Sequence, residues 1–119
     1  RSVTVTEFET LRDQLRDFAA ARDWDQFHSP KNLAMALAGE AGELLENFQW
    51  LTEEQSRRPS SELLAAASEE IADVLLYLVR LSDKLGIDPV AAAHRKMVTN
   101  ARKYPVDKAR GTARKYTEL

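Results

Sequence analysis

Glu40 and Glu43, in Gly39-Glu40-Ala41-Gly42-Glu43, and Glu70 and Asp73, in Glu70-Ile71-Ala72-Asp73, form two acidic pairs spaced i, i+3. On a helix that spacing sets both members of a pair on one face. At about 100° per residue, Glu40 falls at the margin of the stripe Leu33, Leu37 and Leu44, with Glu43 just beyond it and Asn47 and Trp50 continuing the strip. Glu70 and Asp73 lie close to Ile71, Val74 and Leu78, with Tyr77 one turn on. Carboxylates bordering an apolar seam are costly unless they are paired or hold a metal. If the two helices pack antiparallel, the four converge on one patch. Oxygen donors with no His or Cys among them suit a hard cation, Mg²⁺ or Mn²⁺. The competing reading is structural, with the same acids bridged to Arg80, Lys96 or Arg102. A di-iron bundle site would need Glu-x-x-His motifs, and neither His28 nor His94 has a Glu three residues before it.

Helices are what the punctuation provides. Thr6 with Glu9 makes a capping box, and Phe8, Leu11, Leu15, Phe18 and Ala19 follow at helical spacing to about residue 22. An aromatic connector with Trp24, Phe27 and His28 comes next. Ser29-Pro30 is a strong helix start, and the second helix is expected over about 30–51, with Leu33, Leu37, Ala41, Leu44, Phe48 and Leu51 as its core stripe. Residues 52–59 read as a polar loop. A third helix is expected from 59 or 60 to about Gly86, a C′ glycine, with Leu63, Leu64, Ile71, Leu75, Leu78, Leu81 and Leu85 on its apolar face. Asp88-Pro89 starts a fourth, which Pro105 stops near residue 103. No segment alternates with period two for long. The expectation is all-α: one domain over 1–119, a four-helix bundle with antiparallel neighbours and an irregular tail in the last fifteen residues.

Composition narrows the chemistry. With no cysteine among 119 residues, disulfides, zinc–thiolate sites and cysteine nucleophiles are excluded, and a cytoplasmic protein is expected. No run of 18 apolar residues exists and no leader is evident, so no membrane span is expected, although the chain opens on Arg1-Ser2 without a Met. From His94 onward there are eight Lys/Arg and two Asp/Glu; residues 1–93 carry nine against seventeen. An acidic body with a basic tail points to a partner phosphate or to an internal complement between the two.

The flanks of the acidic pairs are more specific than the pairs. Arg22-Asp23-Trp24-Asp25-Gln26-Phe27-His28 followed by Ser29-Pro30-Lys31-Asn32-Leu33 resembles the start of the dCTP pyrophosphatase branch of the MazG-like all-α nucleotide pyrophosphohydrolases. So do Phe48-Gln49-Trp50, Asp73-Val74-Leu75-Leu76-Tyr77-Leu78, Lys96-Met97, Asn100, Arg102-Lys103-Tyr104-Pro105 and Arg114-Lys115-Tyr116-Thr117-Glu118-Leu119. The family's Glu-x-x-Glu and Glu-x-x-Asp motifs match Glu40/Glu43 and Glu70/Asp73, separated by a gap of 26 residues. The resemblance implies a subunit that assembles as a dimer of dimers and cuts a deoxynucleoside triphosphate, dCTP or a modified dCTP favoured, to monophosphate and pyrophosphate. It implies that Glu40, Glu43, Glu70 and Asp73 hold Mg²⁺; for the chemistry, one carboxylate not fully used by the metal, Glu43 for choice, is expected to orient or deprotonate the attacking water. Lys96, Arg102 and Tyr104 would meet phosphate oxygens, Asn100 and Tyr77 the sugar, and Trp24 and Trp50 the base. Two departures stand out. Leu15 occupies a position where the animal members carry a His close to the base, and the loop at 52–59 is short.

Plainer readings compete at several positions. Lys96 and Arg102 also fit solvated charge on a terminal helix. Trp24 and Trp50 also fit a core or subunit interface, and Tyr77 a core residue with its hydroxyl at the rim. His28 is expected to bond backbone in the connector and His94 to lie at the surface or an interface; neither is expected to be catalytic. A helical interaction module would explain the amphipathicity but not the acids at two seams. A nucleic-acid binder would need a broad basic face, which the acidic body opposes, and no zinc finger or RNP signature is present.

Overall fold

The computed structural model describes residues 4–119. The long helices are α1 (Glu7–Ala21), α2 (Pro30–Glu46), α4 (Ser61–Leu85) and α5 (Pro89–Lys103), joined by the short α3 (Glu53–Arg57) and followed by α6 (Val106–Ala109). There is no strand among the described residues. Contacts divide the chain into two compact units, one ending at Ile87 and one beginning at Asp88.

The expected caps form. Thr6 and Glu9 close a reciprocal capping box on α1, Ser29 caps α2 with Pro30 in its first turn, and Ser60 caps α4. Gly86 ends α4 in the left-handed conformation at φ 67°, which costs a residue without Cβ little. Asp88 caps α5 by accepting from the Val90 and Ala91 amides.

Three local expectations are corrected. α2 stops at Glu46 rather than running to 51, and residues 47–50 form turns, with Asn47 as C-cap and its side-chain amide donating to the Glu43 carbonyl. The 52–59 segment contains α3, because Thr52 and Gln55 make a second capping box. The tail is not wholly irregular: it holds α6 and a 3₁₀ turn at Tyr116–Glu118, where Tyr116 packs edge-on against Tyr104 at 6.0 Å.

In the first unit α4 packs against both α2 and α1. The buried hydrophobic residues there are Ala19, Leu33, Ala67 and Val79. Of the expected α4 face, Leu64, Ile71, Leu75, Leu78 and Leu85 are exposed instead. Four of these recur every seven residues, so they form a second apolar stripe, separate from the one α4 turns towards its own chain. No helix of the described residues is long and apolar enough to cross a membrane.

Candidate functional site

The packing of α2 on α4 brings the acidic pairs together. Carboxylate oxygens of Glu40, Glu43 and Glu70 lie within 4.8 Å of one another, with Glu43 exposed and the other two half-buried. Glu40 Oε2 and Glu70 Oε2 are sealed from water and have no hydrogen-bond partner among the described residues. Among the described residues of their own unit none of the four acids forms an ion pair. Arg80, a candidate partner on sequence grounds, is engaged by Asp25 and Asp83. Asp73 stands apart from the three-oxygen cluster and lines an adjoining cavity, yet its charge is felt by Glu40 and Glu70.

Crowding of like charge shows in the proton affinities. The adjoining Glu43 carboxyl, loss of hydration, and the nearby Glu70 and Asp73 carboxylates push Glu40 up from 4.5 to about 7. Glu70 is also raised, chiefly by loss of hydration and further by Glu43 and Asp73, with the Glu40 carboxyl acting in the opposite direction. Orphaned buried carboxylate oxygens facing one another are expensive without a cation. All the donors are oxygens, which fits a hard divalent ion. Gly39 and Gly42 leave the α2 flank open, since a Cβ at either would meet no atom within 4 Å.

The adjoining cavity, of about 190 Å³, lies wholly in the first unit and is lined by Leu15, Phe18, Trp24, His28, Tyr77 and Arg80 with Ala19, Asp73 and Leu76. The end of α1 builds one wall. Asp23 takes φ 54°, a left-handed conformation that Asp tolerates better than most residues. The Trp24 amide turns back to donate to the Ala19 carbonyl at 2.9 Å. This sets the Trp24 ring edge-on to Phe18 at 5.7 Å, with the Arg22 guanidinium stacked 3.6 Å from the Phe18 centroid.

Of the expected base and sugar residues, Trp24 and Tyr77 line the cavity; Trp50 does not and is 87% exposed. Lys96, Asn100 and Arg102 lie exposed on α5 in the second unit, with Tyr104 as its C-cap. Sequence reasoning missed His28. Its Nδ1 accepts from Arg80 Nε at 3.1 Å rather than bonding connector backbone through the ring. The pairing links residues 52 apart, and the only local sign of it was an imidazole beside a helix cap.

A family model described as the MazG-like family matches residues 36–119. dCTP pyrophosphatase 1 of Bos taurus is 48% identical over 113 residues, covering 93% of this chain and 67% of that protein. The Homo sapiens protein of the same name is 48% identical over 113 residues, covering 93% and 66%. This chain therefore spans about two thirds of the length of these animal relatives. A crystal structure of a pyrophosphatase from Archaeoglobus fulgidus superposes with a TM-score of 0.77 at 42% identity, covering 88% of this chain and 98% of that one.

Proposed function

The chain belongs to the MazG-like family, and from that premise we propose that it is a metal-dependent nucleoside triphosphate pyrophosphohydrolase. It cleaves a deoxynucleoside triphosphate, dCTP or a modified dCTP favoured, to the monophosphate and pyrophosphate, and so cleanses the nucleotide pool. The observation that carries the reading is the pair of orphaned buried oxygens on Glu40 and Glu70, set against Glu43 with no ion pair to any described residue of their unit. Relatives named as dCTP pyrophosphatases at 48% identity support the substrate class. The family match runs across the boundary at Ile87, which supports treating both units as one functional domain.

Glu40, Glu43, Glu70 and Asp73 hold the ion, Mg²⁺ by preference and Mn²⁺ as a substitute. When bound, it neutralises phosphate charge and lowers the pKa of a nearby water. Glu43, the exposed member, orients or deprotonates the water that attacks the α-phosphorus. Following the resemblance, Lys96, Arg102 and Tyr104 bind phosphate oxygens, Asn100 and Tyr77 the sugar, and Trp24 and Trp50 the base. Phosphoanhydride cleavage asks chiefly for positioning and charge stabilisation, and these residue types supply both. The cysteine-free composition is compatible with the cytoplasm, the compartment we assign.

The test is a product assay on the common dNTPs and NTPs, with and without Mg²⁺, resolving monophosphate, diphosphate, phosphate and pyrophosphate. Mg²⁺-dependent monophosphate and pyrophosphate in equal amounts are expected, with deoxynucleotides preferred. Diphosphate and phosphate as products, or turnover unaffected by chelator, would refute the assignment.

The exposed heptad stripe of α4 supports assembly into a homo-oligomer, a dimer of dimers. Leu64→Glu and Leu85→Glu, at the two ends of the stripe and away from the carboxylates, are each expected to weaken association at least about a hundredfold. Light scattering on the eluting protein reads the mass directly. A mass unchanged by the double substitution at micromolar concentration would place the interface elsewhere.

A further inference from the structure

The tail segment Arg114-Lys115-Tyr116-Thr117-Glu118-Leu119 has no part in the site residues assigned above. What it does begins at the end of α5. Pro105 drives the residue before it out of the helical region. Tyr104 accordingly takes φ −122° and ψ 68°, with its amide tied back to the Asn100 carbonyl at 2.8 Å. A side chain on such a residue escapes the crowding by the preceding turn that limits rotamers inside a helix. Some other contact must fix the ring if its hydroxyl is to be held ready for a ligand.

The tail supplies that contact. After α6, Gly111 takes φ 77° and reverses the backbone, a conformation that glycine adopts freely. The Thr112 hydroxyl accepts from the Arg114 amide at 3.2 Å. The return brings the Tyr116 ring edge-on to Tyr104, with centroids 6.0 Å apart at 86°. The Lys103 ammonium lies 4.9 Å from the Tyr116 centroid. Residues 104–116 are thus a compact loop with touching ends, and a Lys-Tyr dipeptide stands at each end, Lys103-Tyr104 and Lys115-Tyr116. Side-chain hydrogen bonds among the described residues of the second unit belong to Asp88, Thr99 and Thr112, so neither tyrosine hydroxyl is engaged there. An edge-on aromatic pair has a preferred geometry, and it restricts the Tyr104 ring in a way that shapeless apolar burial does not.

We infer that Tyr116 is a positioning residue for the hydrolysis: its edge-on contact holds the Tyr104 ring in one orientation, so that the Tyr104 hydroxyl is presented to the phosphate oxygens of the substrate. Lys103 steadies Tyr116 in turn. The inference rests on the pyrophosphohydrolase reading above, in which Tyr104 meets phosphate. A donor already in place spares the cost of ordering it when the triphosphate binds. An oriented aromatic pair is worth about 2- to 12-fold in an equilibrium, which sets the size of the effect.

Two measurements on the full chain test it. The first is a double-mutant cycle in kcat/KM for the preferred deoxynucleoside triphosphate. Tyr116→Leu is expected to lower it about fivefold, and Tyr116→Phe, which keeps the ring, should recover most of the loss. Tyr104→Phe keeps the ring contact and loses the hydroxyl. Adding Tyr116→Leu to Tyr104→Phe should then cost almost nothing further, because no hydroxyl is left to place. A tail that merely stabilises the fold would cost the same factor in both backgrounds, and that additivity overturns the inference. The second measurement reads the contact without activity. The chain has three tyrosines, so in protein labelled with 3-fluorotyrosine the Tyr104 resonance is assigned by its absence in Tyr104→Phe. Tyr116→Leu should move that resonance towards the position of free 3-fluorotyrosine. A Tyr104 resonance indifferent to Tyr116→Leu overturns the inference even where hydrolysis is normal. No hydrolysis of any dNTP by the wild type overturns the reading beneath it, and this inference with it, even where the fluorine shift is seen.

Discussion

Glu40→Gln is expected to lower kcat/KM for the preferred deoxynucleoside triphosphate by more than about a hundredfold and, at the same time, to stabilise the metal-free protein above pH 7. The first effect follows from the ligand set. Removing a group that merely orients a metal ligand costs about 10- to 100-fold, and Glu40 sits inside the oxygen cluster. The second follows from its raised proton affinity. A carboxyl whose pKa rises from 4.5 to about 7 on folding holds its proton more tightly in the folded state. Its contribution to stability is therefore intact below pH 4.5 and is lost as pH climbs to about 7. Glutamine cannot ionise, so the variant escapes that loss. Denaturation midpoints of the two metal-free proteins should coincide near pH 4 and separate, with the variant higher, by pH 8. Saturating Mg²⁺ should raise the wild-type midpoint at pH 8 and leave the variant nearly unmoved. For the same reason the wild-type affinity for Mg²⁺ should climb with pH up to about 7 and then level, as the ion displaces a proton. A variant less stable than wild type without metal at pH 8 would mean that Glu40 is a satisfied structural acid and not a ligand.

Much of this centre was legible in the sequence because it is local. The i, i+3 spacing put each acidic pair on one helix face, and the stripe positions put those faces at a seam, so the convergence of Glu40, Glu43 and Glu70 needed only that α2 and α4 be neighbours. Caps were legible for the same reason, since Ser29-Pro30, Gly86 and Asp88-Pro89 act within a turn. What escaped was set by distance along the chain or by choice between apolar faces. α4 is apolar on more than one side, and periodicity does not say which leucines turn inward; Leu64, Ile71 and Leu75 turned out. The early end of α2 came from a carbonyl captured by Asn47, a competition between side chain and backbone that an unbroken apolar stripe conceals. Arg80 was one of the partners that the competing structural reading offered the four acids, yet Asp25, 55 residues away, takes it. That leaves the acid cluster without Arg80 and turns the Arg80 Nε to His28 Nδ1 instead.

The same displaced arginine carries the largest stability effect we expect outside the acidic cluster. Arg80→Met should destabilise the protein by about 3 kcal/mol at pH 7. The Arg80 side chain is 7% exposed and that of Asp83 10%, so the pair is held out of water, and removing one partner leaves the other poorly compensated. Arg16 still holds Asp83 and Lys84 still holds Asp25, which keeps the loss at the lower end of what broken buried pairs cost. Methionine preserves most of the apolar stem, so a cavity adds little. Arg57→Ala is the contrast: its bridge to Glu53 joins side chains 67% and 88% exposed, and removing it should change stability by no more than about 0.5 kcal/mol. Urea denaturation of both variants separates the cases, and a loss below about 1 kcal/mol for Arg80→Met would reduce the network to surface decoration. Acid gives an independent check. Arg16 above all, and Arg80 with it, hold the Asp83 carboxyl below its ordinary 3.8. The stabilisation it supplies is complete above pH 3.8 and disappears as pH falls through its lower folded value. The gap between wild type and Arg80→Met should therefore be constant from pH 7 down to about 4 and close below that, as the carboxylates that Arg80 serves become neutral.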